Sequence, residues 1–342
     1  MSEMDHWHPV LLSRALRRKP VGIKLNGEQI VVFRTVDGRI GALRDVCPHR
    51  RMRLSLGVVK NDRLECPYHG WTFDALGAGE SPGTPKLHAK AYCYETRECH
   101  GAVWLRNHGA ATAFPEFNVE GYHPACTLHH RVNAPLEVVL DNFTEIEHTP
   151  TTHALLGYAL ERMPEVTTRV ESTDDSVYVF NRGPQKPIPV YAQLMLGVRP
   201  GDAFVDEWTT LYSPVHSVYD QWWSNAATGG ERINRLRLYV FFNPLSGEET
   251  DLLTFAYLKS RLWGKSMIER VIGPLLKRLV DIEIRLDVRM LENLADKSTG
   301  IAGLRLSRFD KVLGLHRRRV ATVYRGGPVP ILDPPATTAE ST

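Results

Sequence analysis

The stretch DVCPHRRMRLSLGVVKNDRLECPYHGW, residues 45–71, decides how the first third of the chain folds. Within it, Cys47-Pro48-His49 and Cys66-Pro67-Tyr68-His69 each offer one thiolate and one imidazole, with 16 residues between His49 and Cys66. Pro48 and Pro67 suit tight ligand loops, and Gly70 gives the backbone freedom beside the last donor. Two such loops facing each other hold a two-iron cluster asymmetrically, both thiolates on one iron and both imidazoles on the other. A Cys2His2 zinc site is the alternative. Zinc modules, however, pair Cys with Cys and His with His along the chain, whereas here Cys is paired with His twice.

Outward from the ligand loops, the flanks read as antiparallel β-structure. VGIKL and IVVFRT flank Asn26-Gly27, and IVVFRT and RIGALRDV flank Asp37-Gly38. Short apolar runs on either side of Asn-Gly or Asp-Gly are the strongest short-range hairpin signal. Residues 71–75 and 101–107 read as further strands. Periodicity is lost over residues 108–124, which carry Gly109, Pro115, Gly121 and Pro124, and a domain boundary is expected there. Beyond it, a helical stretch is expected over 136–156, broken or kinked at Pro150. Strand-like runs follow at 166–170, 177–181, 236–242 and 252–258, and a long helix at 273–294. The tail from Pro328 is rich in Pro and Thr and reads as extended or disordered. The expected division is 1–110, 111–325 and a tail of 326–342.

Composition bounds the remaining possibilities. The chain has 342 residues, 43% hydrophobic and 24% charged, an ordinary globular balance with room for about two domains. No apolar run reaches the ~18 residues of a membrane span, and the N-terminus does not read as a signal peptide. A formal charge of +3 is too slight to argue for nucleic acid. Five cysteines among 14 histidines suggest no disulfide scaffold. A cytoplasmic location without membrane or nucleic-acid partners is the expectation.

A second constellation lies in VVLDNFTEIEHTPTTHALLG, residues 138–157. His148 and His153 are five residues apart, which on an uninterrupted helix turns them to different faces. Pro150 between them makes a distorted turn that could aim both imidazoles at one point. The plain alternative is a polar helix end with two surface histidines. Two histidines and one carboxylate with open positions form the facial triad of non-haem Fe(II) oxygenases. In the last helix, Asp281 has Lys277, Arg278 and Arg285 at neighbour spacing and reads as a solvated ion pair. Asp287 instead sits on a stripe with Val280, Ile284, Met290, Leu291 and Leu294, and a buried carboxylate needs a partner or a metal. Asp287 is the expected third ligand, with a nearby arginine as the competing explanation.

CPHR…CPYHGW resembles the Rieske signature of the ring-hydroxylating, Rieske-type non-haem iron oxygenases, and the resemblance extends over roughly residues 7 to 300. LDNFTEIEHTPTTH resembles their mononuclear-iron motif, and Asp287 with Glu292 five positions on resembles their third-ligand segment. The resemblance implies an α+β chain: an antiparallel β Rieske domain, then a catalytic domain with a curved antiparallel sheet and helices, helix-grip-like. It places the [2Fe–2S] cluster on Cys47, His49, Cys66 and His69, and a catalytic Fe(II) on His148, His153 and Asp287, with Asn142 beside it. The acid bridging the two metal sites falls on Glu145, where the family usually carries Asp.

The resemblance further implies electrons from a separate ferredoxin or flavin reductase, passed through His69, Glu145 and His148. Substrate and O2 would react at the second iron, in a head-to-tail ring that is most often a homotrimer. No GxGxxG follows a strand, so a reductase on another chain is expected. The single-chain length resembles the monooxygenating and demethylating branch. Two other classes remain at this stage: a Rieske electron-transfer protein without oxygenase activity, and a zinc-stapled binding protein. Basic clusters at 14–19 and 317–319 could dock an acidic ferredoxin. Trp208, Tyr212, Tyr219, Trp222 and Trp223, with Leu155 and Leu156, would suit a flat apolar ligand, though ordinary core packing explains such residues equally well.

Overall fold

The computed structural model describes residues 2–330; positions 331–342 of the Pro- and Thr-rich tail lie outside the described residues. Residues up to Pro115, together with Asn243–Gly247, form one compact unit. Glu116–Phe242 and the described residues from Glu248 onward form the other. Among the described residues no helix is long and apolar enough to cross a membrane.

The first unit is built from antiparallel strands in two sheets. One has six strands in the order His8–Leu12, Ala102–Asn107, Cys93–Cys99, Ile40–Arg44, Glu28–Arg34, Val21–Leu25; the other has five between Val58 and Lys90. Val21–Leu25 pairs with Glu28–Arg34 through Leu25 opposite Glu28. That leaves Asn26 (φ 47°) and Gly27 (φ 80°) as a two-residue turn with both residues left-handed, as Asn-Gly hairpins require. The apolar run Ile30–Phe33 is continuous because both faces of its strand are buried. Ile30 and Val32 enter one core with Ala42, Val103 and Leu105. Val31 and Phe33 enter a second with Leu43, Leu64, Phe73 and the two cysteines Cys47 and Cys66. Strand alternation thus gives the thiols their own apolar compartment.

The second unit carries a curved seven-stranded antiparallel sheet with helices. Its order is His123–Val132, Glu249–Ser260, Glu231–Ser246, Val215–Ser224, Ala203–Tyr212, Ser176–Pro184, Thr167–Ser172. Of these, His123–Val132, Ala203–Tyr212 and Val215–Ser224 were not foreseen as strands. The long helix Gly273–Glu292 buries Leu276, Val280, Ile284 and Leu291 in the same core as Trp208, Tyr219, Leu238 and Val240. His130 Nε2 lies 2.8 Å from Asp281 Oδ1, tying this helix to the strand His123–Val132, and Arg285 donates to the other oxygen of Asp281. Arg317 and Arg319 are not a docking patch. Each is only 8% exposed; Arg317 donates to both oxygens of Asp141, and Arg319 to the Thr173 carbonyl.

Two histidines of this core give the fold a pH dependence. His216 stacks on Phe241 with its Nδ1 2.8 Å from the Pro214 carbonyl oxygen, and His316 Nδ1 lies 2.6 Å from the Tyr212 hydroxyl. Burial pushes His216 down to about 4 and His316 to about 3. Unfolding restores their ordinary affinity near 6.5, so below that pH the unfolded state binds more protons. Stability is therefore full above pH 6.5 and falls progressively toward pH 4, by up to about 1.4 kcal/mol per pH unit for each histidine. Urea midpoints at pH 7 and pH 5 check this: a lower midpoint at pH 5 is expected, and equal midpoints contradict it.

Candidate metal centres

In the first unit, the two Cys-His loops have the same backbone construction. Cys47 N–H donates to the Met52 carbonyl (2.8 Å), and Arg51 N–H donates back to the Cys47 carbonyl (2.9 Å). Cys66 N–H donates to the Trp71 carbonyl (2.7 Å), and Gly70 N–H donates back to the Cys66 carbonyl (3.1 Å). In each loop the residue four positions after the cysteine is left-handed: Gly70 at φ 68°, and Arg51 at φ 59°. Glycine signals that conformation in a sequence; arginine does not, so only one half of the pair was legible.

The loops bury their thiols, Cys47 at 1% and Cys66 at 2% exposure, and leave both imidazoles exposed. The rings of His49 and His69 lie 4.6 Å apart, and His49 stacks on Trp71. Burial pushes the Cys47 thiol up, and the neighbouring Cys66 thiol adds to it. A tetrahedral zinc site needs its four donors about 3–4 Å from one another, given metal–ligand distances near 2.0–2.3 Å. Among the described residues only His148, His153 and Asp287 bring three donor atoms within 4.8 Å. The Cys and His donors are thus spread too widely for one zinc ion, and their division into buried sulfur and exposed nitrogen fits a two-iron cluster.

The second centre is built by a broken helix and a long one. Leu136–Phe143 ends at Thr144, whose hydroxyl donates back to the Leu140 carbonyl (2.6 Å). A four-residue helix, Thr149–Thr152, then follows, with His148 capping its start and His153 its end. The expected break at Pro150 is corrected. The interruption lies at 144–148, and Pro150 sits in the first turn of the second helix, where proline sacrifices no hydrogen bond. Lys186 Nζ donates to the carbonyls of Thr149, Pro150 and His153. It ties down this short turn, and nothing in the sequence pattern pointed to it.

Nε2 of His148 and Nε2 of His153 are 3.3 Å apart; each also approaches Asp287 Oδ1, at 3.2 and 3.0 Å respectively. Three donors at right angles around an ion about 2.1 Å away would stand roughly 3.0 Å apart. The triangle fits one ion. Behind it, Glu145 accepts from Nδ1 of His148. Glu283 Oε2 lies 3.4 Å from Nδ1 of His153, while its Oε1 accepts from the Leu155 N–H (2.8 Å). Carboxylates beside ligand histidines in this way set ring orientation and tautomer. Glu283 stands four residues before Asp287 on the same helix face, the spacing signal that could have singled it out. Glu292 lies elsewhere, accepting from Asn133.

The electrostatics of the group call for a cation. Burial acts against both charges here, yet Asp287 and Glu145 push His148 up to about 10. His153 and His148 in turn hold the Asp287 carboxyl well below the usual range. Among the described residues no arginine pairs with Asp287; its partners are the two imidazoles.

The trio opens into a cavity lined by Asn142, Leu156, Trp208, Tyr219, Leu238 and Val240 among others. Asn142 Nδ2 is buried there without a hydrogen-bond partner. Of the aromatic set, Trp208 and Tyr219 reach this wall and Tyr212, Trp222 and Trp223 do not; of the two leucines, Leu156 does and Leu155 does not.

The Rieske [2Fe-2S] domain family matches residues 6–123. The phthalate 4,5-dioxygenase oxygenase subunit of Pseudomonas putida is 36% identical over 150 residues, 41% of this chain and 34% of that protein. Methylxanthine N1-demethylase NdmA of Pseudomonas putida is 39% identical over 111 residues, 29% of this chain and 31% of that protein. The matched stretches thus span about a third of these relatives' length. A crystal structure of dicamba monooxygenase bound to dicamba superposes with a TM-score of 0.76 at 17% identity, covering 93% of this chain and 96% of that one; that likeness is one of fold. Residues 6–123 thus match the Rieske [2Fe-2S] domain family, and the chain as a whole shares the fold of the solved monooxygenase.

Proposed function

We propose that the chain is the terminal oxygenase component of a multi-protein system. It uses O2, and electrons from a separate ferredoxin or flavin reductase, to hydroxylate or oxidatively demethylate a small, mostly apolar ring compound. The observation that carries this is the presence, in one chain with a Rieske domain, of two imidazoles and a carboxylate converging at the floor of an apolar cavity. An electron carrier needs no such cavity.

Cys47, His49, Cys66 and His69 hold the [2Fe–2S] cluster, and His148, His153 and Asp287 hold Fe(II). Bound there, the cluster supplies single electrons and the ferrous ion supplies open positions for O2. The chain's own contribution is placement. Glu145 fixes the His148 ring through Nδ1, Glu283 stands 3.4 Å from Nδ1 of His153, and Lys186 anchors the turn between them. The wall of Trp208, Tyr219 and Leu238 excludes water and positions a flat substrate. The assembly is proposed to be a head-to-tail homotrimer working in the cytoplasm.

Glu145 tests the coupling between the two centres. Glu145→Gln keeps the hydrogen-bond acceptor for His148 but removes its charge. The rate of cluster oxidation in a single turnover is expected to fall by at least about tenfold, with substrate affinity unchanged. Equal rates in both proteins would contradict this role. The reaction itself is read from a substrate screen with a surrogate reductase, followed by product mass. A gain of one oxygen atom marks hydroxylation and a net loss of CH2 marks demethylation. Failure of every ring compound to consume O2 in iron-loaded protein would sink the proposal.

A further inference from the structure

The cavity above the His148–His153–Asp287 trio has a polar strip on a wall that is otherwise apolar. Asp206 and Gln221 stand opposite each other on the adjacent strands Ala203–Tyr212 and Val215–Ser224, and Trp208 follows Asp206 by two on the same face. All three line the cavity, and they are 7%, 8% and 2% exposed. Gln221 Nε2 donates to Asp206 Oδ1 at 3.2 Å. That contact turns the amide so that Gln221 Oε1 is buried without a partner, and Trp208 Nε1 is likewise unpartnered. One acceptor and one donor are therefore left unused beside a carboxyl, and a buried unmade hydrogen bond costs about 1–3 kcal/mol.

The charges of the lining point the same way. No Lys or Arg lines the cavity, while Glu145, Asp206 and Glu283 do, together with the ligand Asp287. The two imidazoles are engaged by Asp287, Glu145 and Glu283. A carboxylate or sulfonate brought against the Asp206–Gln221 strip would be desolvated beside a carboxyl with no Lys or Arg to pair with, since the Fe(II) position lies at the floor among Asp287, Glu145 and Glu283.

We propose that the ligand of this cavity is a ring compound without negative charge, bearing an amide-like group whose N–H faces Gln221 Oε1 and Asp206 and whose oxygen accepts from Trp208 Nε1. This rests on the oxygenase reading and narrows its substrate class to uncharged amides, lactams, N-heterocycles and sulfonamides. Anionic aromatic acids are disfavoured at this strip. Gln221 and Asp206 determine specificity in this account and take no part in the chemistry of the metal.

The test uses iron-loaded protein held without O2 and three probes of matched size: benzenesulfonamide, benzenesulfonate and toluene. Binding is read by equilibrium dialysis. The sulfonamide is expected to bind at least about tenfold more tightly than the sulfonate. Gln221→Met is expected to bring that ratio within about threefold, with toluene reporting any change in the apolar packing of the wall; Asp206→Asn, which keeps volume, is expected to narrow it in the same direction. A general loss of folding would weaken all three probes together, so the ratio isolates the polar strip. The proposal is overturned if the sulfonate binds as tightly as the sulfonamide, if the ratio survives both substitutions, or if wild-type protein retains none of the probes. An inert protein that still prefers the sulfonamide would overturn the oxygenase reading alone; an active one that prefers the sulfonate would overturn only the ligand class.

Discussion

Asp287→Ala is expected to leave the visible absorption of the cluster intact while turnover falls to background. The carboxylate is 5% exposed and its Oδ1 lies within 3.2 Å of both imidazole Nε2 atoms, so its removal takes away one of the three ligands and the negative charge that holds the other two together. The proposed cluster ligands belong to the other unit, where Cys47 and Cys66 lie in a core with Leu43, Leu64 and Phe73, and the cluster's spectrum is expected to be unaffected. Asp287→Asn preserves the volume and serves where the alanine variant folds poorly; it too is expected to lose the second iron. Iron and sulfide analysis beside the absorption spectrum reads the result. Turnover surviving with wild-type iron content would show that Asp287 is not a ligand.

Cys66→Ser produces the complementary loss. The Cys66 thiol is 2% exposed at the head of a loop closed by its own N–H and carbonyl, and the thiolate is the ligand that keeps its iron in the cluster. The variant is expected to be nearly colourless, to fall from three irons per chain to one, and to be inactive with any reductase. The remaining iron stays on His148, His153 and Asp287. Because serine fills nearly the same space, a folded protein without cluster is expected, with a modest drop in thermal midpoint. A coloured variant retaining both cluster irons would remove Cys66 from the ligand set.

What could be read from the sequence, and what could not, follows from where each signal is stored. Cys47, His49, Cys66 and His69 stand in a short repeated pattern on loops, which spacing and residue type alone single out. Asp287 was visible as a charge on an apolar helical stripe, and the structure puts it against His148 and His153. Asn26-Gly27 named its own turn because only residues tolerant of positive φ fit there. The site's supporting residues were hidden for an equally physical reason. Glu145 was named only through the resemblance, Glu283 differs from a solvated acid only by what it faces, and Lys186 reaches the turn between the histidines from more than thirty residues downstream. The break at Thr144 rather than Pro150 depends on a threonine hydroxyl bonding back into its helix, a local choice that composition does not record. Strands Ala203–Tyr212 and Val215–Ser224 alternate bulky and polar residues that all face a partner, so their burial was legible only once the sheet was seen. Arg317 and Arg319 looked like a surface cluster because sequence gives charge without direction.

The central claim is that one chain holds both a [2Fe–2S] cluster and a separate mononuclear iron. Iron and acid-labile sulfide counted on the same reconstituted sample, with its visible spectrum, test this most directly. The account predicts a coloured protein with three irons and two sulfides per chain, falling to two irons and two sulfides in Asp287→Ala. Two irons in the wild type, unchanged in that variant, would contradict it in favour of an electron carrier; a colourless protein holding zinc would contradict it altogether.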